Sequence, residues 1–335
     1  MSLIKQTTKY PMYKPMKYQW AYDYFRVHEK MHWTEDEVAL ADDVKDFNNA
    51  SVAEREFITN LLRLFTQNDI MVGAGYDVML RIFKPTEVQM MLRTFANREN
   101  THISAYALLT ETLGFGDDIY SEFLDIPLME TKTEYLDKAK VKKFEDYKAD
   151  GMTNAEVDQQ FRRGLARMLA VYAGATEGIS LMAQFAMLLQ FQFQNKYKGA
   201  CQIVDWSIKD ESQHQEGNSR LFREYINENL DIWDDELKFE IYEAIREIVA
   251  YEKALVDYLN PPHMDKNLVK AYIEYMADNA LSLLGMKTNY GHKENPLPYM
   301  EDVTNGLSLV NFFEARVTDY AKGALTGSWS ELKGK

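Results

Sequence analysis

Hydrophobic residues recur every three to four positions along most of the chain, which is the spacing of one face of an α-helix. This pattern predicts long amphipathic helices over residues 51–83, 86–113, 154–196, 199–227, 233–258 and 265–284. Shorter helices are predicted over residues 18–30 and 307–320. Because such apolar stripes are buried by packing against one another, we expect an all-α fold.

Acidic residues interrupt the apolar stripes of the first four long helices. Asp69, Glu99, Glu177 and Glu211 each occupy a position that the helical spacing assigns to the inward face. A carboxylate on an apolar face is costly unless a cation or a hydrogen-bonding partner compensates its charge. Taken alone, Asp69 could equally cap a neighbouring group or pair with an arginine.

Two of these acidic residues are followed by a histidine three positions later, giving Glu99–His102 and Glu211–His214. Residues three apart share a helix face, so each pair can direct a carboxylate and an imidazole at one point. Two such helices, each facing a helix that supplies one more carboxylate, make the ligand set of a di-iron or di-manganese centre in a four-helix bundle. The predicted ligands are Asp69, Glu99, His102, Glu177, Glu211 and His214.

A single Glu-x-x-His would be weak evidence, whereas the complete set is much more specific. Four carboxylates neutralise two divalent cations, and imidazole suits both iron and manganese. The other histidines lack this context, and we interpret them as structural or surface groups: His28, His32, His263 and His292.

Composition and charge narrow the range of functions. The 16 Gly and 8 Pro are few for 335 residues, which favours long helices, and a net charge of −14 argues against a nucleic-acid-binding surface. Cys201 is the only cysteine, which excludes an intramolecular disulfide and a zinc-thiolate site. The sequence has no apolar run of transmembrane length and no signal-peptide core, so we expect a cytoplasmic protein without a membrane span.

The expected domain organisation is simple. Residues 1–16 are predicted to be an N-terminal arm, residues 17–320 a single helical domain, and residues 321–335 a flexible tail. Ser51 with Glu54, and Thr34 with Glu37, have the spacing of helix N-terminal capping boxes. The charged stretch over residues 117–147 is predicted to begin as a loop and continue as a solvated helix.

Together these residues resemble the small, radical-generating subunit of class I ribonucleotide reductase over nearly the whole chain. The six predicted ligands match that family's ligands in order and type. Tyr106, four residues after His102, lies where the family has its radical tyrosine. Trp33 and Asp210 match the family's electron-transferring tryptophan and the carboxylate beside it. Tyr320 is the last residue of a segment, residues 311–320, that resembles the family motif whose tyrosine passes the radical to the partner subunit.

The resemblance implies a ferritin-like four-helix bundle with additional helices, a homodimer, and a large catalytic subunit as the partner of the C-terminal tail. It implies two metal ions per chain, which we expect to be iron, with dimanganese or a mixed centre as the alternative. Their reaction with an oxygen-derived oxidant would oxidise Tyr106, and the radical would travel through Trp33 and Tyr320 to the large subunit. There it would start the reduction of ribonucleotides to deoxyribonucleotides.

Two alternatives remain open at this stage. One is another ferritin-like dimetal oxidase, which would not need Trp33, Asp210 and Tyr320. The other is a storage or purely structural helical protein. The sequence also leaves open whether Tyr106 or the metal pair stores the oxidising equivalent, and which oxidant or activating flavoprotein takes part.

Overall fold

A computed structural model describes residues 2–5, 9–123, 126–143, 146 and 152–304 of the chain. Within these ranges the chain forms helices and connecting loops and contains no β-strand, which confirms the all-α prediction. The predicted helix over residues 307–320, including Tyr320, and the predicted tail lie outside the described residues. No helix in the described part is long and apolar enough to cross a membrane.

The α-helices of the described residues agree with most of the predicted ones. In chain order they are α1 (Gln19–Lys30), α2 (Ala41–Asn49), α3 (Val52–Ile82), α4 (Thr86–Thr112), α5 (Ile119–Glu122), α6 (Pro127–Ala139), α7 (Asn154–Ala170), α8 (Leu181–Leu189), α9 (Lys198–Glu228), α10 (Asp235–Leu259), α11 (Lys266–Leu283) and α12 (Tyr299–Thr304). Helix α3 packs on α4, and α4 packs on α1 and α9.

The predicted helix over residues 154–196 is not one continuous α-helix. A fully buried π-helical segment, Val171–Ser180, separates α7 from α8, and it packs against α9, α10 and α11. Its wider turns depart from the 3.6-residue period on which the prediction relied. The segment carries Glu177, and π-helical turns inside α-helices often occur at functional sites.

Small residues allow the helices around this segment to approach closely. A Cβ atom at Gly75 of α3 would lie 2.0 Å from the ring of Tyr172, and one at Gly178 would lie 1.9 Å from the side chain of Gln215. The close approach of the Tyr172 ring therefore requires a glycine at position 75. Helix α3 continues through Gly75 without interruption.

The two predicted capping boxes have different outcomes. Thr34 and Glu37 form the full reciprocal box at a short 3₁₀ turn. Ser51 Oγ accepts a hydrogen bond from the Glu54 backbone N–H, but the Glu54 side chain does not reach back. Its carboxylate is buried and instead accepts two bonds of 2.9 Å from Lys196 Nζ, which ties the start of α3 to the segment that leads into α9.

The charged region before residue 147 is also less solvated than predicted. Helix α6 buries Met129, Lys132 and Leu136 against the rest of the protein. Lys132 Nζ donates a hydrogen bond of 3.4 Å to Glu252 Oε1, and both side chains are almost completely inaccessible to solvent. Alternating charge therefore did not distinguish a solvated face from one that buries an ion pair.

Candidate metal centre

All six predicted ligands converge between four helical segments. Helix α3 supplies Asp69, α4 supplies Glu99 and His102, the π-helical segment supplies Glu177, and α9 supplies Glu211 and His214. None of these residues is more than 1% exposed. They lie between two apolar clusters, one containing Phe65 and Tyr106 and the other containing Tyr76 and Phe95.

Two glutamates are shared between the two histidines. His102 Nδ1 lies 3.1 Å from Glu211 Oε1 and 3.7 Å from Glu99 Oε2. His214 Nδ1 lies 3.1 Å from Glu99 Oε1 and 3.3 Å from Glu211 Oε2. Each of these carboxylates, which we call the bridging pair, thus directs one oxygen toward each imidazole. Carboxylates placed in this way could serve two cations at once, one through each oxygen.

One further carboxylate stands at each end of the bridging pair. Asp69 Oδ2 lies 4.0 Å from His102 Nδ1, and Glu177 Oε1 lies 3.9 Å from His214 Nδ1. We call Asp69 with His102 the His102 half of the centre, and Glu177 with His214 the His214 half. Each half offers one imidazole and one terminal carboxylate beside the bridging pair.

The unpaired atoms of the centre fit two metal ions. The carboxylate oxygens of Asp69, Glu99 and Glu211 and the Nδ1 atoms of both histidines are buried without a hydrogen-bond partner. Buried polar atoms are normally hydrogen-bonded, so a converging set of unpaired ligand atoms is suited to binding cations. Hard carboxylate and imidazole ligands together suit iron and manganese.

The protonation of these groups is set by burial and by their mutual charges. Burial raises the pKa of Glu177 to about 8 and, together with the Glu99 charge, raises the pKa of Asp69 well above its usual range. Burial alone would lower the pKa of His214, but the Glu211 and Glu99 carboxylates raise it to about 10. Without metal the cluster therefore retains protons, which metal ligation would release.

Asp210, which the resemblance pairs with Trp33, lies between that residue and the His102 half. The Trp33 indole donates from Nε1 to Asp210 Oδ2 at 2.8 Å, and His102 Nε2 lies 3.1 Å from the same oxygen. Because His102 Nδ1 faces the carboxylates, Nε2 is the atom that donates to Asp210, and this bond fixes the orientation of the ring. The Trp33 and His102 rings stack with their centroids 5.8 Å apart.

The environment of Asp210 keeps it ionised. Burial would raise its pKa, but the hydrogen bond from His102 and the nearby His28 and Arg98 lower it to about 2. Arg98 Nε lies 3.4 Å from Asp210 Oδ2. The carboxylate thus balances a buried guanidinium while it holds the indole and the imidazole.

His28 is a partner of the centre that its place in the sequence did not reveal. This residue of α1 is fully buried, and its Nε2 lies 2.9 Å from Nε2 of His214. The sequence contained a signal, because His28 lies on one stripe with Trp20 and Tyr24 at four-residue spacing. The prediction of a structural or surface group fits the other three histidines, which are exposed or half-buried.

Tyr76 and Asn218 were also missed as partners of the centre. Tyr76 Oη donates to Glu177 Oε1 at 2.5 Å, and Asn218 Nδ2 donates to Glu177 Oε2 at 3.1 Å. Tyr76 lies seven residues after Asp69, so the helical spacing places both side chains on one face of α3. It could not show which residue on another helix Tyr76 meets.

Tyr106 lies beside the His102 half in an apolar pocket. The ring is completely buried and stacks on Phe65 with centroids 4.9 Å apart, and the ring of His102 is 6.4 Å away. Its hydroxyl donates to Ser207 Oγ at 3.0 Å. Burial raises the pKa of Tyr106 well above its usual range, so the phenol is neutral at physiological pH.

Comparisons with known proteins agree with this arrangement. Residues 12–296 match the family model described as "Ribonucleotide reductase, small chain". A probable ribonucleoside-diphosphate reductase small subunit of Invertebrate iridescent virus 6 is 38% identical, over 100% of this chain and 99% of that protein.

Solved structures share the fold at lower identity. The ribonucleotide reductase R2 subunit from Clostridium botulinum superposes with a TM-score of 0.78 at 20% identity, over 91% of this chain and 94% of that one. The dimanganese(II)-NrdF of Streptococcus sanguinis has a TM-score of 0.72 at 16% identity, over 89% and 100% of the two chains. The predicted ferritin-like fold is confirmed.

Proposed function

The chain belongs to the small-chain family of ribonucleotide reductase, and on that basis we propose that it generates the radical used by a ribonucleoside-diphosphate reductase. The observation that carries the proposal is the pairing of a buried six-ligand cluster with the hydrogen-bonded series Trp33–Asp210–His102. A metal-storage protein would need the cluster alone. The series adds an oxidisable ring joined to a ligand.

Two metal ions, iron in the first instance, would supply the one-electron oxidising power once treated with an oxygen-derived oxidant. A dimanganese centre, as named for the Streptococcus sanguinis protein, is the alternative, and so is a mixed centre, as named for an R2-like ligand-binding oxidase. The residues that would hold the ions are Asp69, Glu99, His102, Glu177, Glu211 and His214.

Tyr106 is the proposed site of the stored radical. Loss of one electron from the phenol requires loss of its proton. The Tyr106 hydroxyl donates a hydrogen bond to Ser207 Oγ, and the proton would go to Asp69, a carboxylate whose charge acts on the phenol. The surrounding apolar side chains keep water and small reductants away from the neutral phenoxyl group. The apolar pocket around Tyr106 therefore protects the proposed radical and also contributes to the stability of the fold.

Trp33 is the proposed first relay beyond the centre. Asp210 accepts the indole N–H, so it can hold or take the indole proton while the ring is oxidised. From Trp33 the hole would pass to Tyr320, which lies outside the described residues, and then to a large catalytic subunit on which the tail over residues 321–335 docks. The functional unit would be a homodimer of this chain with that partner.

The test separates the relay from the metal chemistry. Tyr320→Phe should leave metal loading and oxidant consumption unchanged and abolish deoxyribonucleotide formation with the large subunit. Tyr258→Phe, at a tyrosine that is 46% exposed, is the control and should keep full turnover. Full turnover in Tyr320→Phe would refute the relay assignment.

A spin measurement separates the proposal from the other dimetal oxidases. After metal loading and oxidation, a tyrosyl signal that disappears in Tyr106→Phe supports storage on that residue. A metal-centred signal that persists in Tyr106→Phe, together with retained turnover, would assign storage to the metals. Absence of both signals and of turnover would favour the oxidase or storage alternatives.

A further inference from the structure

The two halves of the centre are not equally prepared to bind metal. In the His214 half, ligand atoms of four residues already lie within 4.8 Å of one another: Glu99, Glu177, Glu211 and His214. In the His102 half the corresponding group contains three residues: Asp69, Glu99 and His102. A site whose ligands are already gathered loses less conformational entropy when a cation binds.

Hydrogen bonds hold the ligands of the His214 half in place. Both oxygens of Glu177 accept bonds, one from Tyr76 and one from Asn218, and Asn218 Nδ2 also lies 2.9 Å from Tyr76 Oη. Neither oxygen of Asp69, the equivalent carboxylate of the His102 half, has a hydrogen-bond partner. The orientation of Glu177 is therefore fixed by neighbours, whereas that of Asp69 is not.

His28 fixes the second ligand of the His214 half. Nδ1 of His214 faces the carboxylates, so when it binds metal its proton resides on Nε2. That N–H points at Nε2 of His28, 2.9 Å away, which can accept the hydrogen bond and hold the His214 ring in place.

We propose that the centre binds its two metal ions in a fixed order, in which the His214 half and the bridging pair bind the first divalent ion. Tyr76 and His28 are the positioning residues that set this order. The inference rests on the proposed dimetal centre. It assigns these two residues no contact with the reacting atoms; they act through Glu177 and His214.

The test is a titration of the metal-free full-length protein with Mn²⁺, in which electron paramagnetic resonance measures the free ion. The wild-type protein should bind two equivalents in two resolved steps. Tyr76→Phe should weaken the first step 10- to 100-fold, the usual effect of removing a hydrogen-bonding partner of a metal ligand. Asp69→Asn should weaken the second step and leave the first unchanged.

Two further variants distinguish positioning from a general loss of structure. His28→Leu should weaken the first step, whereas His28→Gln, whose carbonyl can accept from His214, should restore it. Tyr272→Phe is the matched control, because Tyr272 is fully buried and its hydroxyl has no hydrogen-bond partner. It should leave both steps unchanged, and circular dichroism should show equal helix content in every variant.

The outcomes separate this inference from the proposed function. If Asp69→Asn weakens the first step, or if Tyr76→Phe weakens both steps equally, the filling order is wrong while the dimetal centre stands. Equal affinity of His28→Leu and wild type for the first ion would remove His28 from the proposal. A folded wild-type protein that binds no Mn²⁺ would overturn the centre and the filling order together.

Discussion

Replacing Asp210 by Asn tests whether the connection between Trp33 and the metal centre depends on a charge. The substitution keeps the shape of the side chain and removes its negative charge. Asp210 accepts from Trp33 Nε1 and His102 Nε2 and faces Arg98 at 3.4 Å. An amide oxygen accepts these two bonds less strongly than a carboxylate does, and the buried guanidinium loses its counter-charge.

The expected loss of stability follows from these contacts. Removing one partner of a buried ion pair typically costs about 3–5 kcal/mol. A neutral amide oxygen keeps part of the bonding to Trp33 or His102, so we expect the lower end, about 3 kcal/mol. That is a large share of a typical unfolding free energy of about 5–15 kcal/mol. The His102 ring should also lose its fixed orientation, which typically lowers metal affinity about 10- to 100-fold.

Urea unfolding of metal-free protein, followed by circular dichroism at neutral pH, measures the stability change. Asp205→Asn is the control on the same helix, because Asp205 is partly exposed and pairs with Lys209 four residues later. Such helix-surface pairs contribute only about 0.3–0.5 kcal/mol. A loss below about 1 kcal/mol in Asp210→Asn would refute the claim that the buried guanidinium depends on this carboxylate.

Three further predictions concern stability. Asp278 accepts four backbone N–H bonds from residues 289–292, which lower its pKa despite burial, so Asp278→Asn should cost about 2 kcal/mol at pH 7. Because the pKa of Asp278 is depressed in the folded state, wild type should lose this advantage as the pH falls below about 4 toward the folded-state pKa. Urea unfolding should therefore show a smaller difference in unfolding free energy between variant and wild type at low pH, and a difference that stays constant with pH would contradict the assignment. Gly199→Ala should lower the thermal midpoint of unfolding, since the added Cβ would lie 2.7 Å from a backbone carbonyl oxygen. Gly73→Ala, whose Cβ would meet nothing within 4 Å, should raise the unfolding free energy by about 0.5–1 kcal/mol. A Gly199→Ala variant more stable than Gly73→Ala would contradict the packing. Free Mn²⁺ at 100 times its dissociation constant should add about 2.7 kcal/mol per site to the unfolding free energy, and a chelator should abolish this gain. No gain would mean that the unfolded chain binds the metal as well as the folded chain does.

The sequence by itself determined the helices and the six candidate ligands. Glu99 with His102 and Glu211 with His214 share a face because any α-helix places residues three apart on one side. Asp69 stood out because a carboxylate within an apolar stripe needs compensation. These inferences use short-range geometry and composition alone, so they did not depend on how the helices cross.

Contacts between helices were decided only by the tertiary structure. Tyr76 meets Glu177, and His28 meets His214, because of the way α1, α3, α9 and the π-helical segment are placed against one another. Helical periodicity shows which face a side chain occupies, but it carries no information about the residue opposite. For the same reason Glu54 pairs with Lys196 instead of completing its own capping box, and Lys132 is buried although it lies in a charged stretch of the sequence. The π-helical turns around Glu177 had no periodic signal, since a local change of helical period leaves the sequence pattern on either side intact.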